Sequence, residues 1–276
     1  MKHTINFILI FLLFVPFFSK AQVTEGPQRR DGFYDRVSPS EREVIPYDHI
    51  RESDVFWEKR IWRVIDVDEK LNLPFKYFHQ DWQDIKPLIE IMMGALEKGE
   101  ITGFGEDNFL STVSFADAIK KCGAGWDTIP KYDKLTGEII GDTAVFNEPD
   151  FTLVKKYRVK EDWFFDKETS TLQVRIIGIA PLFTDPTLGD LPLFWAYYPD
   201  LRPILVKEDV YNPKNDAVRF SYDDLFESRL FSSYIIKESN VFDRRIQDYK
   251  TGVDALMESE KIKDEIFTWE HDLWSF

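Results

Sequence analysis

The sequence predicts an α+β protein in which a mainly antiparallel sheet packs with helices and follows an extended N-terminal arm. Residues 22–42 are polar and turn-rich, with few bulky apolar side chains, so they cannot form a core. Apolar residues recur at helical spacing in 84–97 and again after residue 240. Between these regions, 151–180 is rich in the β-branched and aromatic residues typical of strands.

The N-terminal residues 1–21 have the features of a secretory signal peptide. Lys2 is followed by an almost wholly apolar run from Phe7 to Phe18, and then by the small residues Ser19 and Ala21 at the positions that determine cleavage. The apolar run is too short to span a bilayer as a helix, and no cysteine follows it that could carry a lipid. We therefore expect an exported protein without direct membrane insertion.

Residues 22–50 are predicted to form the extended arm, and residues 51–276 a single globular domain. The first part of the arm, residues 22–42, contains the turn pairs Gly26-Pro27, Asp31-Gly32 and Ser38-Pro39, with bulky apolar side chains at Phe33, Tyr34 and Val37. A segment of this composition either stays loose or lies along another surface. Phe33 and Tyr34 are therefore candidate interface residues.

The segment 47–75, YDHIRESDVFWEKRIWRVIDVDEKLNLPF, is predicted to contain a helix that begins near Ser53 or Asp54 and ends before Pro74. On such a helix, a single apolar stripe would face the core, and its members would be Trp57, Ile61, Val64 and Ile65. Val55, Phe56 and Trp62 would point away from that stripe, so a partner would have to cover them unless the arm or a neighbouring strand does. We assign these three side chains as candidate interface residues.

The remaining elements follow from spacing and caps. A helix is expected over 84–97, with Ile85, Leu88, Ile89, Met92 and Leu96 in the core and Gly99 after it. Ser114 and Asp117 predict the start of a short helix. A hairpin is expected over 153–165 and 171–180, followed by strands at 193–198 and 203–210 and by a helix over 221–231.

A last helix is predicted from Asn240 to the end of the chain, packed on the sheet. Its apolar residues recur every three to four positions, in a stripe formed by Phe242, Ile246, Tyr249, Val253, Leu256, Ile262, Ile266, Trp269 and Leu273. The segments ESDVFWEKRI and ESNVFDRRI resemble each other and are interpreted as two similar helix starts. An internal duplication is the alternative reading.

The composition and the sequence motifs argue against several classes of function. The net charge of −14, made more negative by loss of Lys2 and Lys20, argues against nucleic acid and anionic lipid as partners. Cys122 is the only cysteine, and we interpret it as a buried structural thiol. His49, His79 and His271 show no metal-ligand spacing, and phosphate-binding and nucleophile motifs are absent from the sequence. We expect no catalytic residues, cofactor or metal.

The chain resembles the GldN/PorN family of Bacteroidetes gliding-motility and type IX secretion proteins. The resemblance rests on the 47–75 segment quoted above and on FTLVKKYRVKEDWFFDKETSTLQVRIIGIAP at 151–181. It continues in LFWAYYPDLRPIL at 193–205 and KNDAVRFSYDDLFESRLFSSYIIKESNVFDRRI at 214–246. Together these blocks cover most of the chain after the signal peptide.

The resemblance implies a non-catalytic structural subunit of the type IX protein secretion and gliding motility machinery. Such a subunit would form a periplasmic ring with a GldK/PorK-like outer-membrane lipoprotein, and would be held at the outer membrane by that partner. It would also contact the periplasmic part of a GldM/PorM-like inner-membrane motor protein and other copies of itself. The alternatives are a secreted carbohydrate-active enzyme and a peptidoglycan-binding module.

Overall fold

A twisted antiparallel sheet is the frame on which the other elements pack. The computed structural model describes residues 39–77, 85–132, 139–147, 149–185, 189–212 and 219–274. Its α+β composition confirms the predicted class. The predicted signal peptide (1–21), Phe33 and Tyr34 all lie outside the described residues.

In the described part, twelve strands and five α-helices follow one another along the chain. The strands are β1 Val55–Asp66, β2 Gly103–Phe104, β3 Thr112–Val113, β4 Gly125–Tyr132, β5 Ile139–Asn147, β6 Val154–Asp166, β7 Thr171–Asp185, β8 Gly189–Pro192, β9 Trp195–Tyr197, β10 Asp209–Val210, β11 Phe220–Ser221 and β12 Tyr234–Glu238. The helices are α1 Leu88–Lys98, α2 Phe115–Lys121, α3 Tyr198–Leu205, α4 Tyr222–Glu227 and α5 Val253–Trp274.

The described strands of the main sheet are ordered β12-β1-β6-β7-β9-β2-β3, and β8 pairs with β7 outside this path. Two further pairs, β4 with β5 and β10 with β11, stand apart from it. The predicted hairpin is confirmed as β6 and β7, which are 13 and 15 residues long. Asp166 organises the turn by accepting hydrogen bonds from the Glu168 amide and the Thr169 hydroxyl.

The prediction of a helix at 54–66 is wrong, because this segment is strand β1. It pairs antiparallel with β6 along its length, Ile61 lying opposite Glu161 and Ile65 opposite Tyr157. Most side chains of VFWEKRIWRVID are β-branched or aromatic and suit a pleated surface better than a helix. The residues assigned to one helical stripe, Trp57, Ile61 and Ile65, lie on one face of the strand, since four-residue spacing fits both periods.

Several other predicted helices and strands are confirmed. All five expected core residues of the 84–97 helix are buried in or just before α1, and Gly99 follows it with φ 71°. Ser114 caps α2 by accepting a hydrogen bond from the Asp117 amide. The helix predicted over 221–231 is α4, which begins with a capping box between Ser221 and Asp224.

Two predictions toward the C-terminus are wrong. Residues 203–210 do not form one strand, because the chain from Tyr198 to Leu205 is α3, with buried side chains at helical spacing and Pro199 in the first turn, and only Asp209–Val210 of the predicted range is a strand, β10. The last helix begins at Val253 rather than Asn240, after Gly252 with φ 60°. The two similar segments are not helix starts either. ESDVFWEKRI leads into strand β1, whereas ESNVFDRRI begins at the last residue of β12, Tyr234–Glu238, and continues into the loop that follows.

One face of the sheet, here called the inner face, carries two apolar clusters. The larger packs α1, α3 and α4 against strand residues that include Ile65, Tyr157 and Ile179. The smaller packs Ile262 and Ile266 of α5 against Ile61, Trp163 and Ile235. Ser259 of α5 also accepts a hydrogen bond of 2.7 Å from the Ile235 amide, so α5 satisfies a backbone donor of the edge strand β12.

Between the two clusters lies a buried charge centre on Glu161, which is fully buried. Its carboxylate is 3.2 Å from Nε of Arg63 and 2.9 Å from Nη2 of Arg229. The indole N–H of Trp163 donates to the same carboxylate at 3.0 Å, and both guanidinium groups lie over the Trp163 ring. Burial lowers the pKa of Arg63, and the charge of Glu161 opposes that shift.

Residues 39–50, the second half of the predicted arm, lie along the body. The Tyr47 ring lies beneath the guanidinium groups of Arg202 and Arg175, at 4.2 and 4.9 Å, and its hydroxyl donates to Glu227. Arg202 donates to the Ile45 carbonyl at 3.0 Å and forms a buried bidentate pair with Asp223. Burial raises the pKa of Tyr47, and the hydrogen bond to Glu227 raises it further.

Replacing Glu161 by leucine is expected to lower the free energy of unfolding by about 3–5 kcal/mol, because two arginines would stay buried without their carboxylate. Denaturant unfolding measures this. Glu97→Leu on the exposed side of α1 makes the same chemical change and should alter stability by less than about 0.5 kcal/mol. Equal losses in the two variants would show that the charge centre contributes little.

Cys122 is buried at the end of α2, as expected for a structural thiol, and burial raises the pKa of the thiol to about 11. The thiolate is the reactive form, so the folded protein should react with a thiol reagent at pH 8 at least about a hundredfold more slowly than the unfolded chain. Timing the reaction with and without denaturant tests this. Equal rates would place the thiol at the surface.

Candidate functional site

The interface residues predicted on β1 do not share one surface. Val55 and Trp62 are half-buried, and Phe56 is 57% exposed. A bulge between Val55 and Trp57 interrupts the pairing with β6, so Phe56 has no register partner there. Phe56 therefore leaves the regular alternation and lies on the same side as Trp57.

Phe56 belongs to an aromatic group at the junction of β1, β6 and α5. Trp57 stacks on Trp269 of α5 at 4.6 Å, and Phe56 lies 6.2 Å from the Trp269 ring and 6.5 Å from the Phe165 ring. Nζ of Lys167 lies 5.5 Å from the Phe56 ring. The outward side of Phe56 is thus the accessible edge of an otherwise packed group.

Trp62 lies on the opposite face of the sheet, here called the outer face, and contacts its own chain. Its indole N–H donates to Asp107 at 2.8 Å, and Nζ of Lys237 lies 4.5 Å from its ring. Lys160 approaches the same ring and donates to the Asp107 carbonyl. Trp62 is therefore partly covered within its own chain, by the loop after β2 and by Lys237 of the neighbouring strand β12, whereas the prediction named only the arm or a neighbouring strand.

The loop after β2 can approach the sheet because β7 has a glycine there. A Cβ on Gly178 would come within 2.6 Å of the Phe109 ring. Phe109 also packs edge-to-face on Phe104 and Tyr197. These contacts fix the loop that carries Asp107 over Trp62.

Several strongly exposed apolar side chains lie close together in the sequence near the C-terminus, and some of them belong to the stripe that the sequence analysis placed on the sheet. Val241 is 96% exposed, Phe242 73% and Met257 66%. This C-terminal apolar surface comprises Val241, Phe242, Tyr249, Val253, Leu256 and Met257. Arg244 lies over the Phe242 and Tyr249 rings, and Lys250 pairs with Glu258, so the loop and the start of α5 adjoin.

The sequence signal for this surface was the predicted stripe over 242–273. Ile246, Ile262 and Ile266 of that stripe are buried, as predicted, whereas Phe242, Tyr249, Val253 and Leu256 are exposed. One stripe cannot face the core throughout, because residues 240–252 are a loop and only the later turns of α5 lie on the sheet. Periodicity alone could not show where the helix begins.

An open groove of about 760 Å³ continues this surface along α5, between Leu256 and Asp272. Its described lining combines apolar side chains such as Met257 and Trp269 with carboxylates such as Asp264. Carboxylates predominate on the whole helix: Asp254, Glu258, Glu260, Asp264, Glu265, Glu270 and Asp272 stand against Lys261 and Lys263. The surface is therefore both apolar and negatively charged.

The described residues contain no group of three or more His, Cys, Asp or Glu placed to hold a metal ion. No helix in the same part of the chain is long and apolar enough to cross a membrane. The accessible features of the described residues are the C-terminal apolar surface and the carboxylates along α5.

A family model described as gliding motility associated protein GldN matches residues 50–275. The chain therefore belongs to the GldN family of gliding-motility proteins, and the predicted family is confirmed. A comparison with curated proteins finds no match.

The two neighbouring aromatics of the bulge should differ in their contribution to stability. Phe56→Ala is expected to lower the free energy of unfolding by about 1 kcal/mol, because the Phe56 side chain is mostly exposed, and Trp57→Ala by about 2–4 kcal/mol, because Trp57 stacks on α5. Denaturant unfolding of both variants measures the difference. A loss for Phe56→Ala as large as that for Trp57→Ala would place Phe56 in the core.

Proposed function

We propose that this protein is a non-catalytic structural subunit of the type IX secretion and gliding motility machinery. It would act in the periplasm, in a ring with a GldK/PorK-like outer-membrane lipoprotein, and contact the periplasmic part of a GldM/PorM-like motor protein. Membership of the GldN family supports the role in gliding motility. The predicted signal peptide supports export.

The observation that carries the proposal is the C-terminal apolar surface. Burying the exposed part of Phe242 alone, on the order of 150 Å², would contribute about 3–4 kcal/mol. A monomer in water would forgo that stabilisation for several neighbouring side chains at once. A subunit of a larger assembly recovers it when a partner covers the surface.

A ring built from many copies requires two different patches on each subunit. The C-terminal apolar surface is one candidate. Val55, Phe56 and Trp62 on β1, and Phe33 and Tyr34 in the arm, remain predicted interface residues. Tyr47 and Arg202 hold the described part of the arm to the body.

The proposal is tested by purifying the exported chain with and without the matching lipoprotein and imaging both by negative stain. Rings are expected only with both proteins. Turnover of glycans by the purified chain would instead favour the carbohydrate-active enzyme, and retention on purified sacculi without the lipoprotein would favour the peptidoglycan-binding module.

Replacing Phe242 and Met257 by serine should leave the isolated chain folded and reduce ring formation at least about tenfold, because the variant buries less apolar area in the assembly. Leu73→Ser and Leu153→Ser alter exposed side chains elsewhere and serve as controls. Rings that form equally well with both pairs would remove the C-terminal apolar surface from the interface.

Trp62→Ala is expected to leave the isolated chain folded and to weaken ring assembly. Thermal melting followed by circular dichroism checks the first point, and negative stain with the lipoprotein checks the second. A melt that loses its cooperativity would show that Trp62, with its contacts to Asp107 and Lys237, is part of the core rather than of an interface.

A further inference from the structure

The C-terminal apolar surface has an arginine at one end and a carboxylate at the other. Its centre is formed by the first turns of α5 and the loop before them, where Val253 and Met257 are exposed. Arg244 belongs to the loop, and its guanidinium lies 4.6 Å from the Phe242 ring. Asp264 lies on a later turn of α5. The contacts that this surface can make depend on whether these two charges are free.

The cationic end of the surface is Arg244, which is exposed and makes no ion pair within the described residues. The neighbouring carboxylate of Asp243 pairs with Lys237 instead. The guanidinium of Arg244 lies over the Phe242 and Tyr249 rings. These ring contacts hold the charge beside the apolar side chains but do not neutralise it.

The acidic end of the surface is Asp264. It is exposed, and no cation of the described chain pairs with it. Its neighbours on α5 differ in this respect, because Glu260 lies 3.4 Å from Lys263 and Glu265 lies 3.5 Å from Lys261. Asp264 is therefore a carboxylate that can accept a cation from outside its own chain.

Asp264 lies on the same side of α5 as the apolar centre. Val253 and Met257 are four residues apart and Asp264 follows seven residues later, which places all three on one side of a helix. Met257 and Asp264 also line the same open groove. Asp264 is about two turns, or roughly 10 Å, beyond Met257. Along this side of the molecule the order is thus cation, apolar centre, carboxylate.

The surface is large enough to support a contact between two protein chains. Its six apolar side chains together expose on the order of 600 Å², at roughly 100 Å² each. A typical stable complex buries about 800 Å² on each partner. The apolar centre with its two charged ends approaches that size only if the whole surface is covered at once.

We propose that two copies of the exported chain pair through this surface about a two-fold axis, with Arg244 of each copy bound to Asp264 of the other. In a two-fold contact every pairing occurs twice, so one rotation joins both charge pairs and covers both apolar centres. The first turns of the two α5 helices meet near the axis. Their acidic later turns then point away from each other, which limits the repulsion between like charges.

This inference goes beyond the proposed function, because it concerns the exported chain before it meets the lipoprotein. The surface can be covered by only one neighbour at a time. A second copy would therefore keep the apolar side chains out of water until an assembly partner replaces it.

Sedimentation velocity of the exported chain over a range of concentrations tests the contact. The wild-type chain should form dimers. Arg244→Glu and, separately, Asp264→Lys should each weaken dimerisation at least about tenfold, because each change places like charges together twice in the dimer. Both side chains are exposed, so both variants should stay folded, and thermal melts check this.

Charge exchange between the two variants is the most specific test. An equimolar mixture of Arg244→Glu and Asp264→Lys should dimerise as tightly as the wild type, because both contacts of the mixed dimer again join opposite charges. The variant that carries both changes should recover in the same way. Lys98→Glu and Glu97→Lys make the same charge changes on α1, outside this surface, and should behave as wild type.

A wild-type chain that stays monomeric at high micromolar concentration would overturn the inference. So would single variants that dimerise as the wild type does, or a mixture that fails to recover. If the chain forms rings with the lipoprotein but no dimers alone, this inference is wrong and the proposed function stands. If it forms the predicted dimers but no rings with the lipoprotein, the proposed function fails and the inference stands.

Discussion

Glu161 and its two arginines impose the main constraint on this fold. The carboxylate lies on the inner face of β6 between two apolar clusters, and Arg63 reaches it from the neighbouring strand β1. A slip of one residue between these strands would move Arg63 to the other face and leave Glu161 without that partner. Because an uncompensated buried charge is costly, the pair favours one register of the long central strands.

That register determines which side chains of β1 lie on the inner face of the sheet and which lie on the outer face. Near the Glu161 centre the strand alternates regularly, so Ile61 and Ile65 enter the core and Trp62 lies on the outer face. Near its start the bulge breaks the alternation, and Phe56 joins Trp57 beside α5. The same strand thus contributes side chains to both faces of the sheet, to the inner face that α5 covers and to the outer face.

The arrangement of the C-terminal segment follows from the edge of the sheet. β12 is the edge strand, and α5 covers it by packing Ile262 and Ile266 and by accepting the Ile235 amide at Ser259. The loop that joins β12 to α5 contributes Ile246 to this contact and exposes Val241 and Phe242. Covering the edge therefore removes one route to uncontrolled strand pairing and leaves the C-terminal apolar surface exposed.

The sequence by itself determined the fold class, the β6–β7 hairpin, α1 with its buried face, the capped starts of α2 and α4, and the family. These depend on local periodicity, caps and turns, which act within a few residues. Only the tertiary structure decided that 54–66 is a strand, because Trp57, Ile61 and Ile65 fit one face of either element and only pairing with β6 separates them. It alone also showed that Phe242 and Leu256 are exposed, since burial depends on residues far apart in the chain.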